Sequence, residues 1–471
     1  MKKNDMFVDL KALHAEVTGS LFLCTARFTN ENTLKFIIDC GLFQEEKYDK
    51  LNSSLGLKAN EDLSEYEFAI CTHTHIDHCG RFPMLVKNGF KGPIYISSFG
   101  AELIRPALEN TLKILEQNTK VKPLFDEKDL ENTFSLITPV DFYKSFNPAK
   151  HVRVSLAKNA HIAGASIVTI RLTYGGKAPI NLEFSGDYNE TNYFFNTRKL
   201  PASLLKEPTT IIQESTYGST ETIEVEKTFE DNICNAILNG YSVVVPVFAF
   251  ERAQLIMLML KRYQDKGALS KKIPIYLDGE LAIKYTQIYR RNSHMFLSNA
   301  RDFTPENFNF VTDQTMRLSL MNMREQKIIL TTSGMGGWGP SKLYLPYFTA
   351  QKKCLIHFSG YVSKCSLGRK ILDAEYGEEI TLCDGTTFKK KAITKITGEF
   401  SSHGKADQNI RFINQFERPQ TVLINHGEYK VREIYKTKVE EETSAKSVSI
   451  LERNMVHRIG PYGLIKKFLD N

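Results

Sequence analysis

The chain has 471 residues, more than one compact core holds, so two or three domains are expected. Its 42% apolar and 24% charged residues are typical of a soluble globular protein, and no apolar run approaches the ~18 residues of a membrane span. Residues 1–11 lack the apolar core of a signal peptide, and the net charge of +7 favours a polyanionic partner.

The first part of the chain is rich in strands. The predicted strands alternate or run apolar between turn signals: 34–39, 68–70, 94–97, 152–157, 167–172 and 180–184. Tyr174-Gly175-Gly176 lies between the last two, as a hairpin requires. Helical patterning covers 82–87 and 101–117. This part is therefore a sheet-rich α/β unit.

After Gly218, strands and helices alternate. The predicted helices are 223–238, 251–263, 281–289 and, weakened by Pro346, 343–349; the predicted strands are 242–247, 273–277, 327–330 and 354–358. Such alternation implies a parallel sheet with helices on both faces. Strand-rich sequence returns from Ala392, with 421–425 a buried strand. The segment from about 218 to 390 therefore resembles a domain inserted into the first one.

The eight cysteines are scattered, and no two have the CxxC spacing of a zinc ribbon. Several lie in or beside apolar strand-like runs, which suits free buried thiols. This pattern predicts a protein of the reducing cytoplasm with no disulfide framework.

The most informative segment is Cys71-Thr72-His73-Thr74-His75-Ile76-Asp77-His78. Its imidazoles and carboxylate suit a core poorly, but His nitrogen and Asp oxygen are the ligands that zinc prefers at catalytic sites. A strand-like run precedes the segment and a helical pattern follows it, so the side chains converge in a strand-to-helix turn. Cys71 and Cys79 flank the motif, but the His and Asp residues already fill the ligand positions. We therefore predict that this segment binds metal.

Further acidic and imidazole side chains lie at or near the ends of strand-like runs. They are Asp39, His161, Asp187 and His426. Each alone is more typical of a turn or a helix cap. Together with the first motif they supply a ligand set for two ions, since sheet-based sites form at one edge of a sheet.

The order of these residues resembles the metallo-β-lactamase fold superfamily, and the surrounding phrases resemble its β-CASP branch, the nucleases related to the cleavage and polyadenylation endonuclease. The phrases are Glu16-Val17-Thr18-Gly19-Ser20, Asp39-Cys40-Gly41-Leu42-Phe43-Gln44, His161-Ile162-Ala163-Gly164-Ala165, Ser185-Gly186-Asp187, Pro246-Val247-Phe248-Ala249-Phe250, Arg252-Ala253-Gln254, Thr332-Ser333-Gly334-Met335 and Phe358-Ser359-Gly360-Tyr361. Motifs A, B and C of the branch match at Glu214, His403 and His426. The resemblance covers nearly the whole chain.

The chain departs from the branch at three places. Glu251 stands where many relatives have Gly, and Gly336-Gly337-Trp338-Gly339-Pro340 is an unusual version of its loop. Motif B usually reads His-Ala-Asp, but here Gly404-Lys405-Ala406 separates His403 from Asp407.

The resemblance implies an α/β fold, a metallo-β-lactamase αββα sandwich with an inserted β-CASP domain made of a parallel sheet flanked by helices. We expect the first part of the sandwich at 1–217, the insert at 218–388 and the C-terminal return at 389–471.

The resemblance also implies a centre of two zinc ions per chain. The implied ligands are His73, His75 and His161 for one ion, Asp77, His78 and His426 for the other, and Asp187 as a bridge. Asp39 would orient the water or a ligand from outside the centre. Glu214 would raise the basicity of His403, which would contact the phosphate or protonate the leaving oxygen.

Candidate substrate contacts lie in the insert. Ser333-Gly334 begins a Gly-rich turn that could point backbone N–H groups at phosphate, although a tight turn without a ligand is an equally good interpretation of the residues alone. The other candidates are Arg252, Ser359, Gly360, Tyr361, Lys364 and Arg369. Lys389-Lys390-Lys391 is interpreted as solvated surface.

The leading prediction is a zinc-dependent ribonuclease that cuts single-stranded RNA with a hydroxide bridged by two metals, leaving 5′-phosphate and 3′-hydroxyl ends. The alternatives are a DNA nuclease of the same branch, a non-catalytic scaffold subunit of RNA processing and a small-molecule hydrolase. In the resemblance, His at motif C is typical of RNA-directed members, so His426 favours RNA. Endo- or exonucleolytic action, and assembly as a homodimer or within an RNA-processing complex, are left open. No membrane partner is expected.

Overall fold

The protein is described by a computed structural model, which covers residues 6–29, 32–43, 49–58, 61–117, 123–222 and 228–470. It divides into two compact units: Met1–Thr222 with Ser402–Asn471 form the first, and Ile223–Ser401 form the second. The domain boundaries predicted from the sequence, 217/218 and 388/389, are not tested by this division and remain predictions. Within the described ranges, no helix combines the length and the apolar character needed to cross a membrane.

Among its described residues, the first part of the first unit contains eleven strands and six α-helices. Its strands in this part are β1 (Phe7–His14), β2 (Leu21–Arg27), β3 (Thr33–Ile38), β4 (Tyr66–Ile70), β5 (Ile94–Ser97), β6 (Ile137–Val140), β7 (Ser145–Ala149), β8 (Val152–Lys158), β9 (Ser166–Leu172), β10 (Ile180–Phe184) and β11 (Thr209–Glu214). The helices are α1 (Asp49–Ser54), α2 (Ile76–Cys79), α3 (Phe82–Lys87), α4 (Ser98–Gln117), α5 (Glu127–Leu136) and α6 (Ala202–Leu205).

The second unit alternates helix and strand, as its sequence predicts. Its strands are β12 (Ser242–Pro246), β13 (Ile275–Asp278), β14 (Phe308–Val311), β15 (Ile328–Thr331), β16 (Cys354–Phe358), β17 (Glu379–Thr381), β18 (Thr387–Lys389) and β19 (Ile393–Ile396). The helices are α7 (Thr228–Leu238), α8 (Arg252–Asp265), α9 (Glu280–Arg291), α10 (Gln314–Asn322), α11 (Ser341–Thr349) and α12 (Leu367–Asp373). The chain then returns to the first unit through α13 (Ala406–Ile413), β20 (Pro419–Asn425), α14 (Tyr429–Glu442), β21 (Ser447–Ile450), β22 (Met455–Gly460) and β23 (Gly463–Leu469).

Two sheets face each other in the first unit. One has the order β23-β22-β1-β2-β3-β4-β5-β6 and the other β21-β20-β11-β10-β9-β8-β7. Apolar side chains of both sheets form one buried cluster between them; Val8 and Phe36 come from the first sheet, Val154 and Leu182 from the second. Strand β8 shows the pattern behind this, because Val152, Val154 and Leu156 are buried while Arg153 is exposed.

Helices cover the outer face of each sheet. Residues of α3, α4 and α5 pack on the first sheet, among them Phe82 and Leu108. Residues of α13 and α14 pack on the second sheet, among them Ile410 and Tyr435. The layers are therefore helix, sheet, sheet, helix, which confirms the αββα sandwich.

The second unit has its own parallel sheet, in the order β14-β13-β15-β12-β16-β19. Central strands such as β12, with three consecutive buried valines, are apolar on both faces because helices cover both sides. Together with the αββα sandwich, this sheet confirms the predicted α/β fold class.

Several predicted elements match to the residue, including 82–87, 94–97, 180–184 and 354–358. The predicted hairpin is confirmed, since β9 and β10 pair antiparallel around Gly175-Gly176. Helix α11 forms despite Pro346 and begins at Ser341. The first five residues of the predicted helix 223–238, and Gln44 of the Asp39–Gln44 phrase, lie outside the described residues.

Candidate metal centre

The metal-binding segment is held in place by the loop that follows β3. Cys40 N donates to the His78 carbonyl oxygen at 2.8 Å, and Leu42 N donates to that of Ile76 at 2.8 Å. A Cβ atom at Gly41 would lie 1.5 Å from the Asp77 carbonyl oxygen, so only glycine lets the loop approach α2 this closely. The Asp39-Cys40-Gly41 phrase is therefore needed for packing as well as for the chemistry of the site.

Two ligand-type side chains follow strands with left-handed backbone. Asp39 follows β3 with φ 59°, and His426 follows β20 with φ 50°. Such a conformation costs a residue with a side chain about 1–3 kcal/mol, and it is typical of functional sites where a side chain must be aimed. Both side chains are buried in the same region as α2.

One group of ligand-type atoms comprises His73, His75, His161 and Asp187, which offer atoms within 4.8 Å of one another. His161 Nε2 lies 3.0 Å from His75 Nδ1. Asp187 Oδ2 lies 3.6 Å from His73 Nε2 and 3.6 Å from His161 Nε2.

A second group comprises Asp77, His78, Asp187 and His426, again within 4.8 Å. Asp187 Oδ1 lies 3.2 Å from His78 Nε2 and 3.3 Å from His426 Nδ1. His426 Nε2 lies 3.7 Å from Asp77 Oδ2. Asp187 thus presents one oxygen to each group.

The donor atoms fit divalent ions in two ways. Two ligand atoms bound at ~2.0–2.1 Å to one tetrahedral zinc ion are about 3.3 Å apart, close to the separations within each group. In addition, His73 Nε2, His78 Nε2, His426 Nε2 and Asp187 Oδ1 are buried and find no hydrogen-bond partner among the described residues. Buried polar atoms are rarely left unsatisfied, so these four atoms point to a missing ligand.

The ionisation states of the first group also suit metal binding. Burial lowers the pKa of His73 and of His161 well below the usual value, and it lowers that of His75 to about 4. These imidazoles are therefore neutral, as metal ligation requires. Burial opposes the charge of Asp187, but His426 and His78 outweigh it and hold the pKa of that carboxyl well below its usual range.

The second group contains one histidine whose pKa is raised instead of lowered. Burial lowers the pKa of His78, but Asp187 and Asp39 outweigh it and raise the pKa well above its usual value. Asp39 Oδ2 lies 2.8 Å from His78 Nδ1, while Thr72 N donates to Asp39 Oδ1 at 2.7 Å. Asp39 therefore fixes the His78 ring with Nε2 directed at Asp187, as a carboxylate behind a metal-bound imidazole does.

Glu214 and His403 form a separate pair beside the first group. Glu214 Oε1 lies 3.0 Å from His403 Nδ1 and also accepts from Tyr188 N at 2.9 Å, while Oε2 accepts from Thr216 N at 2.9 Å. The other ring nitrogen, His403 Nε2, lies 3.9 Å from Asp187 Oδ2. Burial lowers the pKa of His403, but Glu214 outweighs it and the pKa is raised to about 9.

Two organising residues were not predicted from the sequence. Asn159 donates to the carbonyl oxygens of Ser185 and Asp187 at 2.9 and 2.6 Å, and its side-chain oxygen accepts from His161 N at 3.0 Å. It therefore ties the His161 turn to the Asp187 turn. Its position two residues before His161, in the same turn, was the available signal.

The second unpredicted residue is Arg81, which is fully buried. Its guanidinium donates to the carbonyl oxygens of Leu51 at 2.9 Å, of Gly19 at 3.5 Å and of Gly41. It joins helix α1 to the loops that contain Gly19 and Gly41, directly behind the metal-binding segment. A charged residue immediately after the motif, before an apolar helix, was the signal for it.

The predicted substrate contacts all lie in the second unit. Ser333 and Gly334 follow β15, and Ser359, Gly360 and Tyr361 follow β16, at the carboxyl ends of two parallel strands that are separated in the sheet by β12. Tyr361 is 68% exposed, whereas Ser359 is buried. Arg252 donates to the carbonyl oxygens of Ser359 and Phe400, and Arg369 to Asp373 and to the Val362 carbonyl.

Two family models match the chain. One, described as the Beta-Casp domain, matches residues 253–371. The other, described as the Zn-dependent metallo-hydrolase RNA specificity domain, matches residues 392–451.

Curated relatives cover most of the chain. Transcription termination factor FttA of Methanococcus maripaludis is 29% identical over 422 residues, 84% of this chain and 63% of that protein. An RNase J-like protein of Methanocaldococcus jannaschii is 29% identical over 401 residues, 84% of this chain and 87% of that protein. The chain thus spans less than two thirds of the termination factor and most of the RNase J-like protein.

Proposed function

We propose that this chain, which belongs to the β-CASP family of metallo-β-lactamase-fold proteins, is a metal-dependent ribonuclease that hydrolyses phosphodiester bonds of single-stranded RNA. One observation carries the proposal: two groups of buried ligand atoms share Asp187, with the Glu214–His403 pair beside them. The expected products have 5′-phosphate and 3′-hydroxyl ends.

The proposed cofactor is two zinc ions per chain. His73, His75 and His161 would hold one, Asp77, His78 and His426 the other, with Asp187 between them. Two such ions supply a water of lowered pKa as nucleophile and a clamp for the phosphate oxygens. The four unsatisfied buried atoms support this assignment over a purely structural histidine cluster.

The side chains around the ligands set their direction. Asp39 holds His78 through Nδ1, and the Ser402 carbonyl oxygen lies 2.8 Å from His161 Nδ1, so the Nε2 atom of each ring is left for a metal. Thr72 Oγ1 lies 3.1 Å from His73 Nδ1 and does the same there. The centre is therefore preorganised before substrate arrives.

Glu214 and His403 are assigned to the phosphate. Glu214 holds His403 by Nδ1, which leaves Nε2 directed at the region of Asp187. A protonated His403 can donate a hydrogen bond to a phosphate oxygen or give its proton to the leaving oxygen. The raised pKa of His403 keeps that proton in place at neutral pH.

In the second unit, the turns after β15 and β16 are proposed to contact the RNA backbone. Ser333, Gly334, Ser359 and Gly360 would offer backbone groups, Tyr361 an exposed ring and Arg369 a cation. Arg252 is better described as a brace, because its guanidinium is used on the carbonyl oxygens of Ser359 and Phe400.

RNA is favoured over DNA by His426, which completes the second group of ligands, and by the RNase J-like relative matched over most of its length. The alternatives remain a DNA nuclease of the same branch and a non-catalytic RNA-processing scaffold. Cytoplasmic location, a homodimer and membership of an RNA-processing complex stay predictions.

The decisive experiment compares matched single-stranded RNA and DNA of one sequence, incubated with zinc-loaded protein. We expect RNA cleavage with products that ligate only as 5′-phosphates, about two zinc ions per chain by elemental analysis, and loss of cleavage in Asp77→Asn. Faster DNA cleavage would support the DNA nuclease. If the protein binds no zinc and the Asp77→Asn substitution has no effect, the scaffold alternative is supported.

A further inference from the structure

A lysine lies beside the Glu214–His403 pair in the altered motif B. Gly404-Lys405 stands between His403 and the Ala-Asp pair that usually follows it directly. Lys405 Nζ lies 4.6 Å from the centroid of the Tyr217 ring, over its face. The Tyr217 ring centroid is in turn 6.0 Å from that of His403, with the rings nearly perpendicular. The ammonium group is therefore separated from His403 by about one aromatic ring.

The backbone fixes this position. Lys405 forms a parallel bridge with Tyr217, and Gly404 N donates to the Tyr188 carbonyl oxygen at 2.6 Å. On the other side, Lys405 N donates to Gln408 Oε1 at 2.8 Å at the start of α13. A Cβ atom at Gly404 would lie 3.0 Å from Asn409 Oδ1 and 3.2 Å from the Tyr188 carbonyl oxygen, so this turn is tightly enclosed.

The charge of Lys405 is not neutralised by the neighbouring acid. Asp407 Oδ1 accepts from Thr222 N at 2.9 Å, and Oδ2 accepts from Arg411 at 2.9 Å. Among the described residues, Lys405 has no ion pair within 4.0 Å. Burial lowers the pKa of Lys405, and the charge of Asp407 offsets this lowering only in part.

A partly buried cation that forms no ion pair among the described residues, next to a site for a phosphodiester, suits a second anion. We propose that Lys405 binds the phosphate adjacent to the one being cleaved in a single-stranded RNA. The inference rests on the proposed function, because it assigns the scissile phosphate to His403 and the metal ligands. The ring of Tyr217 holds the lysine stem and sets the spacing between the two contacts. A lysine ammonium binds phosphate as a point charge, so the contact reads the RNA backbone and carries no base preference.

The first test measures RNA binding in a zinc-loaded Asp77→Asn background, in which cleavage is blocked. Lys405→Met keeps an apolar stem against Tyr217 but removes the charge. It should weaken binding about three- to tenfold, and it should reduce the slope of log K against log salt by about 0.7, the value for one lost contact to a single strand. Lys405→Arg should restore both quantities.

A matched control is Lys466→Met. Lys466 is exposed in the same unit, and its Nζ lies 5.0 Å from the Phe468 ring centroid, so it also has a lysine–aromatic contact. This variant should bind RNA with the affinity and salt slope of its parent.

The second test separates the neighbouring phosphate from the reacting one. Bis(4-nitrophenyl) phosphate is a phosphodiester with no adjacent phosphate. For Lys405→Met, kcat/KM on RNA should fall about three- to tenfold further than kcat/KM on this diester, mainly through KM.

Each outcome of these tests either supports or overturns the proposed contact. Three results would overturn the contact: unchanged RNA affinity and salt slope in Lys405→Met, no RNA binding by the parent protein, or an equal fall of kcat/KM on both substrates. The third result would indicate that Lys405 only braces His403. If RNA binding depends on Lys405 but the wild-type protein with zinc hydrolyses neither substrate, the ribonuclease proposal fails while the Lys405 contact with RNA stands.

Discussion

Two buried aspartates, one in each unit, have the same sequence signature but opposite surroundings. Asp187 follows the apolar strand β10, and Asp278 ends the apolar strand β13. Asp278 accepts from Arg317 through both oxygens, at 2.7 and 2.8 Å, and from the Tyr344 hydroxyl at 2.8 Å. Asp187 lies within 4.0 Å of four of the five imidazole rings in the two ligand groups, and its Oδ1 has no hydrogen-bond donor among the described residues.

This difference shows how a ligand-binding site can be distinguished from a structural hydrogen-bond network. At Asp278 the charge is paired and the hydrogen bonds are complete, so the group stabilises the second unit and needs no ligand. At Asp187 several donors and acceptors converge without satisfying one another, which is favourable only when an ion enters. Glu183, on β10 four residues before Asp187, is a third case: it is buried, and among the described residues its side chain accepts only from Thr169, at 3.1 Å.

The largest expected effect is that of Asp187→Asn. Removing the charge and one oxygen of the residue that both groups share should lower RNA hydrolysis more than about 100-fold, which exceeds the effect of losing an outer-sphere partner. Zinc content should fall, and added zinc should no longer raise the melting temperature. Elemental analysis, thermal unfolding and a cleavage assay measure these quantities. Full zinc content with normal cleavage would remove Asp187 from the centre.

Asp278→Asn should instead change stability. The Arg317 guanidinium would lose the negative charge and one of its two acceptor oxygens. The free energy of unfolding should fall by about 3 kcal/mol, toward the lower end for breaking a buried pair because Arg317 is partly exposed. Urea unfolding measures the loss. The double variant Asp278→Asn/Arg317→Gln should lose less than the sum of the single changes; strict additivity would contradict a direct pair.

Glu183→Gln should alter the pH dependence of stability. Burial raises the pKa of Glu183 from 4.5 to about 8. Below pH 4.5 both the folded and unfolded carboxyl groups are protonated and there is no cost. Between pH 4.5 and 8 only the unfolded state loses the proton, so stability falls by about 1.4 kcal/mol per pH unit.

The glutamine variant lacks this slope. Relative to wild type, it should therefore gain about 3 kcal/mol between pH 5 and pH 7.5 in metal-free urea unfolding, following the same linkage. A difference between the two proteins that is constant with pH would show that Glu183 is ionised in the folded state.

Of these four substitutions, Glu214→Gln should have the smallest effect. It should lower kcat about 10- to 100-fold, because it weakens the hydrogen bond that holds His403 without changing a metal ligand. Zinc content and the KM for RNA should stay near the wild-type values. Glu221→Gln, an exposed acid of the same unit, is the matched control and should retain full kcat. Loss of zinc from Glu214→Gln would place Glu214 among the ligands instead.

Local sequence was sufficient for much of the fold. Strands such as β10 and β16 are dense apolar runs bounded by turn residues, so their limits can be predicted from neighbours in the chain. Strands β1 and β22 were not predicted. They pair across the ends of the chain, with Val8 opposite Ile459, and such pairing has no local signal.

For the candidate site, residue type and position at strand ends singled out His73, Asp187 and His426, because few residues can bind metal and few positions let side chains converge. The roles of Asn159, Arg81 and Lys405 were not predicted, since each depends on which carbonyl groups or rings of distant segments lie near it in the fold.

The sequence by itself determined the chemistry available: imidazoles and carboxylates in a fixed order, and apolar periodicity that specifies two kinds of sheet. Only the tertiary structure decided which of those side chains share a charge, which are saturated by neighbours and which are left with unsatisfied atoms. The physical reason is that hydrogen bonding and desolvation depend on distances of a few ångströms between segments hundreds of residues apart, such as Glu214 and His403 at 3.0 Å.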